Sequence, residues 1–365
     1  MALKCGIIGI TNTGKTTIFN CVSDKKAEIT DFAFGGTKSN IGMVKIPDPR
    51  LETLNDMVKP DKITYATMEL VDIPGLAKGA SEGEGLGNKF LDEVSRSDAL
   101  IHVLRCFDDD NLPHVEGSVD PVRDIEIVDL ELQIRDLHLV ERKIERLNKL
   151  IKTGDKDAKK ALEVMHKIKS QLEDFVNVRE MGLSEDELEH TQEMYLLTEK
   201  PVLFVCNVDD DSAVEGNDYS ISVKSFLQGK DAEVLTIAGK LEAEISELEE
   251  EEERTEFLED AGLTEPSVNR MIRSAYHLLN LQSFLTQGPK EVRAWTIKTG
   301  MTAPEAAGVI HSDIKRGFIR AEVIKFEDFV NYGNENAVKE AGKMRLEGKK
   351  YVVQDGDIIL YRFNV

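Results

Sequence analysis

Residues 9–16 read GITNTGKT, which matches the phosphate-loop pattern G-x-x-x-x-G-K-[ST] at every fixed position. An apolar run, LKCGIIGI, leads into the loop, and the helix-like segment TTIFNCVS follows it. In such a unit the glycines let backbone N–H groups wrap the phosphates, the lysine reaches the β- and γ-phosphates, and the next hydroxyl binds Mg²⁺. We therefore predict a nucleotide-binding loop in preference to a chance glycine turn. The predicted nucleotide-binding residues are Asn12, Thr13, Gly14, Lys15, Thr16 and Thr17, with Lys15 also catalytic and Thr16 also a magnesium ligand.

A second motif, DIPGLAKG at 72–79, follows the strand-like run YATMELVDI. It has the form of the D-x-x-G loop, in which the aspartate, here Asp72, holds magnesium and the N–H of the glycine, here Gly75, bonds the γ-phosphate. In many such proteins the next residue is a glutamine that positions the attacking water. Here it is Leu76, whose side chain neither donates nor accepts a hydrogen bond. Either the protein is not a hydrolase, or another residue handles the water.

The rest of the chain predicts an α/β fold with two additions. The strand-like runs ALIHVLRCF, PVLFVCNV and AEVLTIA alternate with helical segments, which favours a mostly parallel sheet. Two apolar stripes joined by the turn-like KTGDKD predict an antiparallel helical hairpin, and the β-rich C-terminal region predicts a small α+β module. We divide the chain into a nucleotidase domain in two parts (1–120 and 199–280), a hairpin insert (121–198) and a C-terminal domain (281–365).

The predicted hairpin has a basic tip on an acidic chain. Between residues 142 and 169 there are ten Lys and Arg against four Asp and Glu, whereas the whole chain has a net charge of −22. The overall charge argues against a surface that attracts nucleic acid everywhere. The tip is either an RNA contact or a solvated helix face. The apolar stripe of the second helix consists of Ala161, Met165, Ile168, Leu172 and Phe175.

A third candidate site follows the run PVLFVCNV, where Asn207 is followed by Val208, Asp209 and Asp210. A guanine-reading loop would be N-K-x-D, with a lysine along the base and an aspartate that accepts hydrogen bonds from guanine N1 and N2. Here valine replaces the lysine, and an acid remains at the fourth position. We predict that Asn207, Val208 and Asp210 contact the base; an acidic loop that merely ends a strand is the alternative.

Composition indicates a cytoplasmic protein. No apolar run approaches the length of a membrane span, and the N-terminal MALKCGIIGI lacks the features of a secretory signal. The four cysteines are scattered without metal-ligand spacing, as reduced thiols would be. We expect no membrane association and, since no dimer seam is visible, a monomer.

Taken together, these features resemble the YchF-type Obg-like ATPases, a branch of the translation-factor P-loop proteins. The resemblance is carried by GITNTGKTTIFN, NIGMVKIPDPRLETL, DIPGLAKGASEGEGLGNKFL, HVLRCFDDDN and HVEGSVDPVRDIEI. The segments EVRAWTIKTGMTAPEAAGVIHSDIKRGFIRAEVI and YVVQDGDIILYRFNV resemble a TGS domain. The resemblance implies a P-loop nucleotidase domain interrupted by a coiled-coil hairpin and followed by TGS. It also implies Mg²⁺ as cofactor and ATP in preference to GTP, because the family lacks N-K-x-D.

The sequence departs from the family at two positions. The family's base-reading loop is usually N-x-x-E, but Asp210 stands in place of the glutamate and brings the loop closer to a guanine reader. The family has a threonine in its first switch, and that slot falls on Gly36 within FAFGGTKSN, with Thr37 one residue later. Either Thr37 supplies this magnesium contact, or the contact is missing.

The residue that replaces glutamine at the attacking water is predicted to be His114, in the loop DDDNLPHVEG. A neutral imidazole can hydrogen-bond a water or accept its proton. The resemblance supports this choice, because family members carry a histidine in this loop that is proposed to stand in for the glutamine. The competitor is His102, which lies inside an apolar strand and is better explained as a core histidine.

These observations lead to one main hypothesis and two alternatives. The main one is a slow ATPase switch that acts on or near the ribosome, with ribosomal RNA contacted by Lys149, Lys152, Lys156 and Lys159 of the hairpin. One alternative is a nucleotide-gated binding protein whose hydrolysis is incidental. The other is a GTPase of the related Obg type, with GTP as the substrate.

Overall fold

The computed structural model describes residues 3–23, 39–76, 86–152 and 156–364. The switch residues Gly36 and Thr37, for which a magnesium contact was predicted, lie outside the described residues. None of the helices formed by the described residues is long and apolar enough to cross a membrane.

The described residues form twelve strands. They are β1 (Lys4–Ile8), β2 (Asn40–Lys45), β3 (Ile63–Thr64), β4 (Thr67–Asp72), β5 (Ala99–Cys106), β6 (Val202–Val208), β7 (Glu233–Ile237), β8 (Leu281–Thr286), β9 (Val292–Lys298), β10 (Phe318–Ile324), β11 (Arg345–Glu347) and β12 (Ile358–Phe363).

Fourteen α-helices are formed by the same residues. They are α1 (Lys15–Val22), α2 (Pro49–Val58), α3 (Leu86–Arg96), α4 (Pro121–Ile151), α5 (Lys156–Glu173), α6 (Glu185–Glu189), α7 (Asp218–Phe226), α8 (Gly239–Glu247), α9 (Glu251–Asp260), α10 (Ser267–Leu278), α11 (Ala303–Ile310), α12 (Ser312–Arg316), α13 (Phe326–Tyr332) and α14 (Glu335–Glu340).

The chain forms two compact units, of which the first comprises Met1–Met43 and Glu69–Met271. Its sheet has the strand order β2-β4-β1-β5-β6-β7, and the pairs from β4 to β7 are all parallel. β5 and β6 are buried along their whole length, as expected for central strands of a parallel sheet covered by helices. The predicted α/β P-loop domain is confirmed.

The helical insert of this unit consists of α4 and α5, which pack against each other through an apolar cluster. α4 starts sharply because Asp120 caps it by accepting a hydrogen bond from the N–H of Arg123, with Pro121 at its first position. In α5, Met165, Ile168 and Leu172 are buried as the sequence predicted. Phe175, however, lies beyond the end of α5 and is 71% exposed, so its predicted place in the stripe is wrong.

The second unit comprises Val44–Met68 and Ile272–Val365. Its sheet has the order β11-β10-β12-β8-β9-β3 and is mixed, with antiparallel pairs at β8–β9 and β10–β12 and a parallel pair at β12–β8. One face packs on α11 through a core that includes Phe284, Ala307 and Ile359. This is the α+β module that the sequence predicted. In addition, β3 pairs with β9, which brings residues 44–68 into this unit, although the sequence assigned them to the nucleotidase domain.

Candidate nucleotide-binding site

The predicted site residues follow the ends of the parallel strands of the first sheet. In such a sheet the loops after the strands meet at one edge, where ligands of doubly wound folds bind. The loops after β1, β4, β5 and β6 carry the phosphate loop, the D-x-x-G motif, His114 and the Asn207 motif respectively. These loops contact one another and together form the candidate site.

The phosphate loop adopts a backbone that depends on its glycines. Gly9 and Gly14 have φ values of 146° and 89°, and Asn12 has a φ of 62°. A Cβ at Gly14 would lie 2.2 Å from the side-chain nitrogen of Asn207, so no larger residue fits there. α1 begins directly after Gly14, and no side chain of the described residues caps its first turn, which suits its N–H groups to an anion.

Lys15 is buried, and its ammonium group donates to the carbonyl oxygen of Ile10 at 2.5 Å. Burial lowers the pKa of Lys15 to about 8, and the nearby carboxylate of Asp72 partly opposes that shift. A desolvated cation held inside the loop is suited to a phosphate, whose negative charge would stabilise the ammonium form. The neighbouring Thr13 is also buried, whereas Thr17 is half-buried on α1.

Asp72 lies at the end of β4 beside the phosphate loop. Its Oδ2 accepts hydrogen bonds from the hydroxyl of Thr16 at 2.9 Å and from the side-chain amide of Asn40 at 3.2 Å. Burial raises the pKa of Asp72, and Lys15 counteracts this. The motifs assigned Thr16 and Asp72 to one magnesium ion, and the structure places the two side chains next to each other. Asn40 was missed as a site residue, and its only signal was its place in a segment that resembles the family.

The D-x-x-G loop runs very close to the phosphate loop. A Cβ at Gly75 would lie 2.9 Å from the Cα of Thr11, so this approach requires glycine. The N–H of Leu76 donates to the carbonyl of Gly9 at 3.0 Å, and its side chain is buried in the core of the first unit. Leu76 thus has a packing role, which explains why an apolar residue occupies the position that holds glutamine in related loops.

His114 lies in the β5–α4 loop, residues 107–120, and both of its ring nitrogens are engaged. Nδ1 accepts from the N–H of Glu116 at 3.1 Å, and Nε2 lies 3.1 Å from Oδ2 of Asp124. Since Nδ1 is an acceptor, the neutral ring carries its proton on Nε2 and donates it to Asp124. The His114 side chain is 4% exposed, so the imidazole does not face solvent in this conformation.

The β5–α4 loop is also bonded to the phosphate loop. The side-chain amide of Asn12 donates to the carbonyl of Pro113, directly before His114, at 3.1 Å. His102, the competing histidine, is buried in β5 and packs on the ring of Phe204. Burial lowers its pKa to about 4, so it is a neutral core residue at physiological pH.

Asn207 is buried, and both the nitrogen and the oxygen of its side-chain amide form hydrogen bonds within the site. Its nitrogen donates to the carbonyl of Thr13 at 2.9 Å, and its oxygen accepts from the N–H of Gly239 at 2.8 Å. Asn207 therefore joins the phosphate loop to the start of α8. Val208 is buried in the core of the first unit, which differs from the expected packing on the base. Asp210 lies beside Lys240, with Nζ and Oδ2 3.6 Å apart.

The phosphate loop, the Thr16–Asp72 pair and the Asn207 bridge together define a P-loop nucleoside-triphosphatase of the GTPase type. A family model described as "50S ribosome-binding GTPase" matches residues 4–208, and the YchF-GTPase C-terminal family, described as a protein of unknown function, matches residues 281–364.

The comparisons with individual proteins are more specific. The "Ribosome-binding ATPase YchF" of Haemophilus influenzae is 49% identical over 365 residues and that of Bacillus subtilis 46% over 367 residues, with full coverage of both chains in each comparison. The solved structure of the Schizosaccharomyces pombe YchF GTPase is 33% identical, has a TM-score of 0.86 and covers 99% of this chain and 98% of its own. The chain belongs to the YchF family.

Proposed function

We propose that this protein binds and slowly hydrolyses ATP and that it acts with the ribosome in the cytoplasm, as a monomer. The observation that carries the proposal is the buried Lys15 beside the Thr16–Asp72 pair, an arrangement suited to a triphosphate and its metal. The relatives named ribosome-binding ATPases support ATP as the nucleotide and the ribosome as the partner.

Mg²⁺ is the proposed cofactor, and the residues present fit it. The hydroxyl of Thr16 and the carboxylate of Asp72 are hard oxygen ligands within 2.9 Å of each other. Mg²⁺ commonly keeps several waters and phosphate oxygens, so one or two protein ligands are enough. When bound, it would neutralise charge on the β- and γ-phosphates. Thr37, or the family slot at Gly36, stays the proposed source of a further contact.

For hydrolysis, we propose that Lys15 stabilises charge on the γ-phosphate and that His114 orients the attacking water. The imidazole must leave Asp124 to do so, because both of its nitrogens are occupied in the conformation described. A loop rearrangement before each turnover would keep the basal rate low, and a partner that shifts the loop would raise it.

We infer that the base is read by Asp210 and by the backbone at the start of α8, because Asn207 is committed to its bridge and Val208 to the core. The ammonium of Lys240 lies 3.6 Å from Oδ2 of Asp210 and competes with guanine N1 and N2 for the carboxylate, whereas Oδ1 has no hydrogen-bond partner among the described residues. This favours ATP over GTP. Because one relative is named an ATPase and another a GTPase, the relative affinity for ATP and GTP is the first property to measure.

For ribosome binding, we propose that the tip of the α4–α5 hairpin, a coiled coil, contacts ribosomal RNA; we also propose that the C-terminal module is a TGS domain. Lys149, Lys152 and Lys159 are exposed at the ends of these helices. Lysines in that position can pair with phosphates.

Two measurements test the proposed function. Lys15→Ala is expected to abolish tight ATP binding, because it removes the cation that faces the β- and γ-phosphates. Unchanged ATP affinity in that variant would overturn the assignment of the phosphate loop. ATP turnover with and without ribosomes then separates an enzyme that acts on the ribosome from a binding protein with incidental hydrolysis, for which ribosomes would leave turnover unchanged.

A further inference from the structure

Arg105, at the end of β5, is among the largest fully buried side chains of the described residues, with 2% exposure. Its guanidinium donates three hydrogen bonds, all to backbone carbonyls. Nε bonds Phe107 at 3.1 Å, Nη1 bonds Leu112 at 2.8 Å and Nη2 bonds Asp109 at 3.3 Å. It also lies over the ring of Phe107, 4.9 Å from the centroid.

All three acceptors belong to the first part of the β5–α4 loop. A guanidinium is planar and presents its donors in a fixed fork, so bonding three carbonyls of one segment sets their positions relative to each other. Burying an arginine is costly unless its donors are satisfied. The donors of Arg105 bond carbonyls of the β5–α4 loop, so the arginine holds that loop in one specific shape.

The loop continues directly into the residues of the site. Leu112, held by Arg105, is followed by Pro113, whose carbonyl is bonded by Asn12, and by His114, which is held by Asp124. Arg105 thus anchors the start of the β5–α4 loop, the phosphate loop anchors its middle, and α4 anchors the part that carries His114. A change at Arg105 would alter where His114 can travel without touching the phosphate loop itself.

We infer that Arg105 is a positioning residue for ATP hydrolysis, which acts by shaping residues 107–112 so that His114 can reach the attacking water. This inference rests on the proposed role of His114. It predicts that Arg105→Lys lowers kcat about tenfold or more while ATP affinity stays within about twofold, because one ammonium cannot hold three carbonyls in the same geometry.

A double-mutant cycle is the decisive experiment. If Arg105 acts through His114, Arg105→Lys costs tenfold or more in the parent and less than twofold in a His114→Ala background. An equal fold-loss in both backgrounds would overturn the inference. Arg179→Lys is the matched control, because Arg179 is a mostly buried arginine that pairs with Asp129 at the base of the hairpin. Arg179→Lys should leave the kcat of the parent and the kcat of His114→Ala unchanged.

Amide hydrogen exchange on the intact variants shows whether Arg105→Lys changes only the β5–α4 loop or lowers the stability of the whole unit. In Arg105→Lys, amide exchange should become faster in residues 107–117 and stay at the parental rate in α4. Faster exchange in both segments would indicate a general loss of stability and would contradict a local positioning role. Should His114→Ala hydrolyse ATP at the parental rate, the proposed role of His114 fails. The exchange measurement would then still decide whether Arg105 shapes the loop.

Discussion

The side-chain amide of Asn12 bonds the carbonyl of Pro113 at 3.1 Å, across 101 residues of sequence. This contact joins the phosphate loop to the residue directly before His114. Asn12 itself sits at a φ of 62°, a conformation that asparagine tolerates better than most side chains. The phosphate loop and the β5–α4 loop, which carries the proposed water-orienting group, are therefore coupled through one hydrogen bond.

The first prediction concerns this coupling. Asn12→Gly should lower kcat by about fivefold, because it removes a neutral hydrogen bond, which contributes about 1 kcal/mol, while glycine keeps the φ of 62° without strain. ATP affinity should change by no more than about twofold, since Lys15 and the helix N-terminus remain. Steady-state kinetics together with calorimetric titration measure both quantities. A large loss of ATP affinity with parental kcat would mean that Asn12 contributes to ATP binding and does not act on the β5–α4 loop.

The second prediction follows from the burial that lowers the pKa of Lys15 to about 8. A bound triphosphate favours the ammonium form, so the pKa of Lys15 rises in the complex and ATP binding takes up a proton above pH 8. ATP affinity should be flat below about pH 7 and weaken above pH 8 by up to tenfold per pH unit.

Lys15→Arg is the control for that pH dependence, because a guanidinium stays charged throughout the range. If the variant retains ATP binding, its affinity should be constant from pH 7 to 9. The same weakening in Lys15→Arg and in the parent would assign the effect to another group.

The third prediction concerns the base. ATP should bind more tightly than GTP in the parent, and Lys240→Ala should narrow the difference by freeing Asp210 for guanine. Lys240 is 77% exposed, so the ion pair contributes at most about 1 kcal/mol and the change should not exceed about fivefold. Side-by-side titrations of the two nucleotides measure it. A tenfold preference for GTP in the parent, about 1.4 kcal/mol, would reverse the assignment.

The fourth prediction concerns the hairpin tip. Neutralising Lys149, Lys152, Lys156 and Lys159 together should weaken ribosome binding and flatten its dependence on salt, because fewer phosphate counterions would be released. Sedimentation binding assays over a range of salt concentrations provide both values. If the logarithmic salt slope is the same as in the parent, these lysines form only a solvated turn.

The sequence predicted best where a motif is local and its geometry is fixed. The phosphate loop and the strand ends are of this kind, because glycine spacing and apolar runs specify them within a few residues. It did not predict contacts between distant segments where no motif links the two residues. Asn40 bonds Asp72 across 32 residues, and β3 pairs with β9 across more than two hundred, and no periodicity encodes either.

Two side chains were placed wrongly or differently because spacing alone does not show where an element ends. Phe175 continues the apolar spacing of α5, but the helix stops at Glu173 and Phe175 takes a φ of 60° in solvent. Val208 is the last residue of β6, and the parallel sheet buries it in the core instead of leaving it beside a base.

The central claim is that His114 leaves Asp124 to orient the attacking water. The most direct measurement is the ATP affinity and the rate of ATP hydrolysis of His114→Ala, with His138→Ala, an exposed histidine of α4, as the matched control. We expect His114→Ala to retain ATP affinity within a few-fold and to lose hydrolysis by about a hundredfold or more, as for removal of a general base, while His138→Ala keeps both. Hydrolysis by His114→Ala at the parental rate would contradict the account.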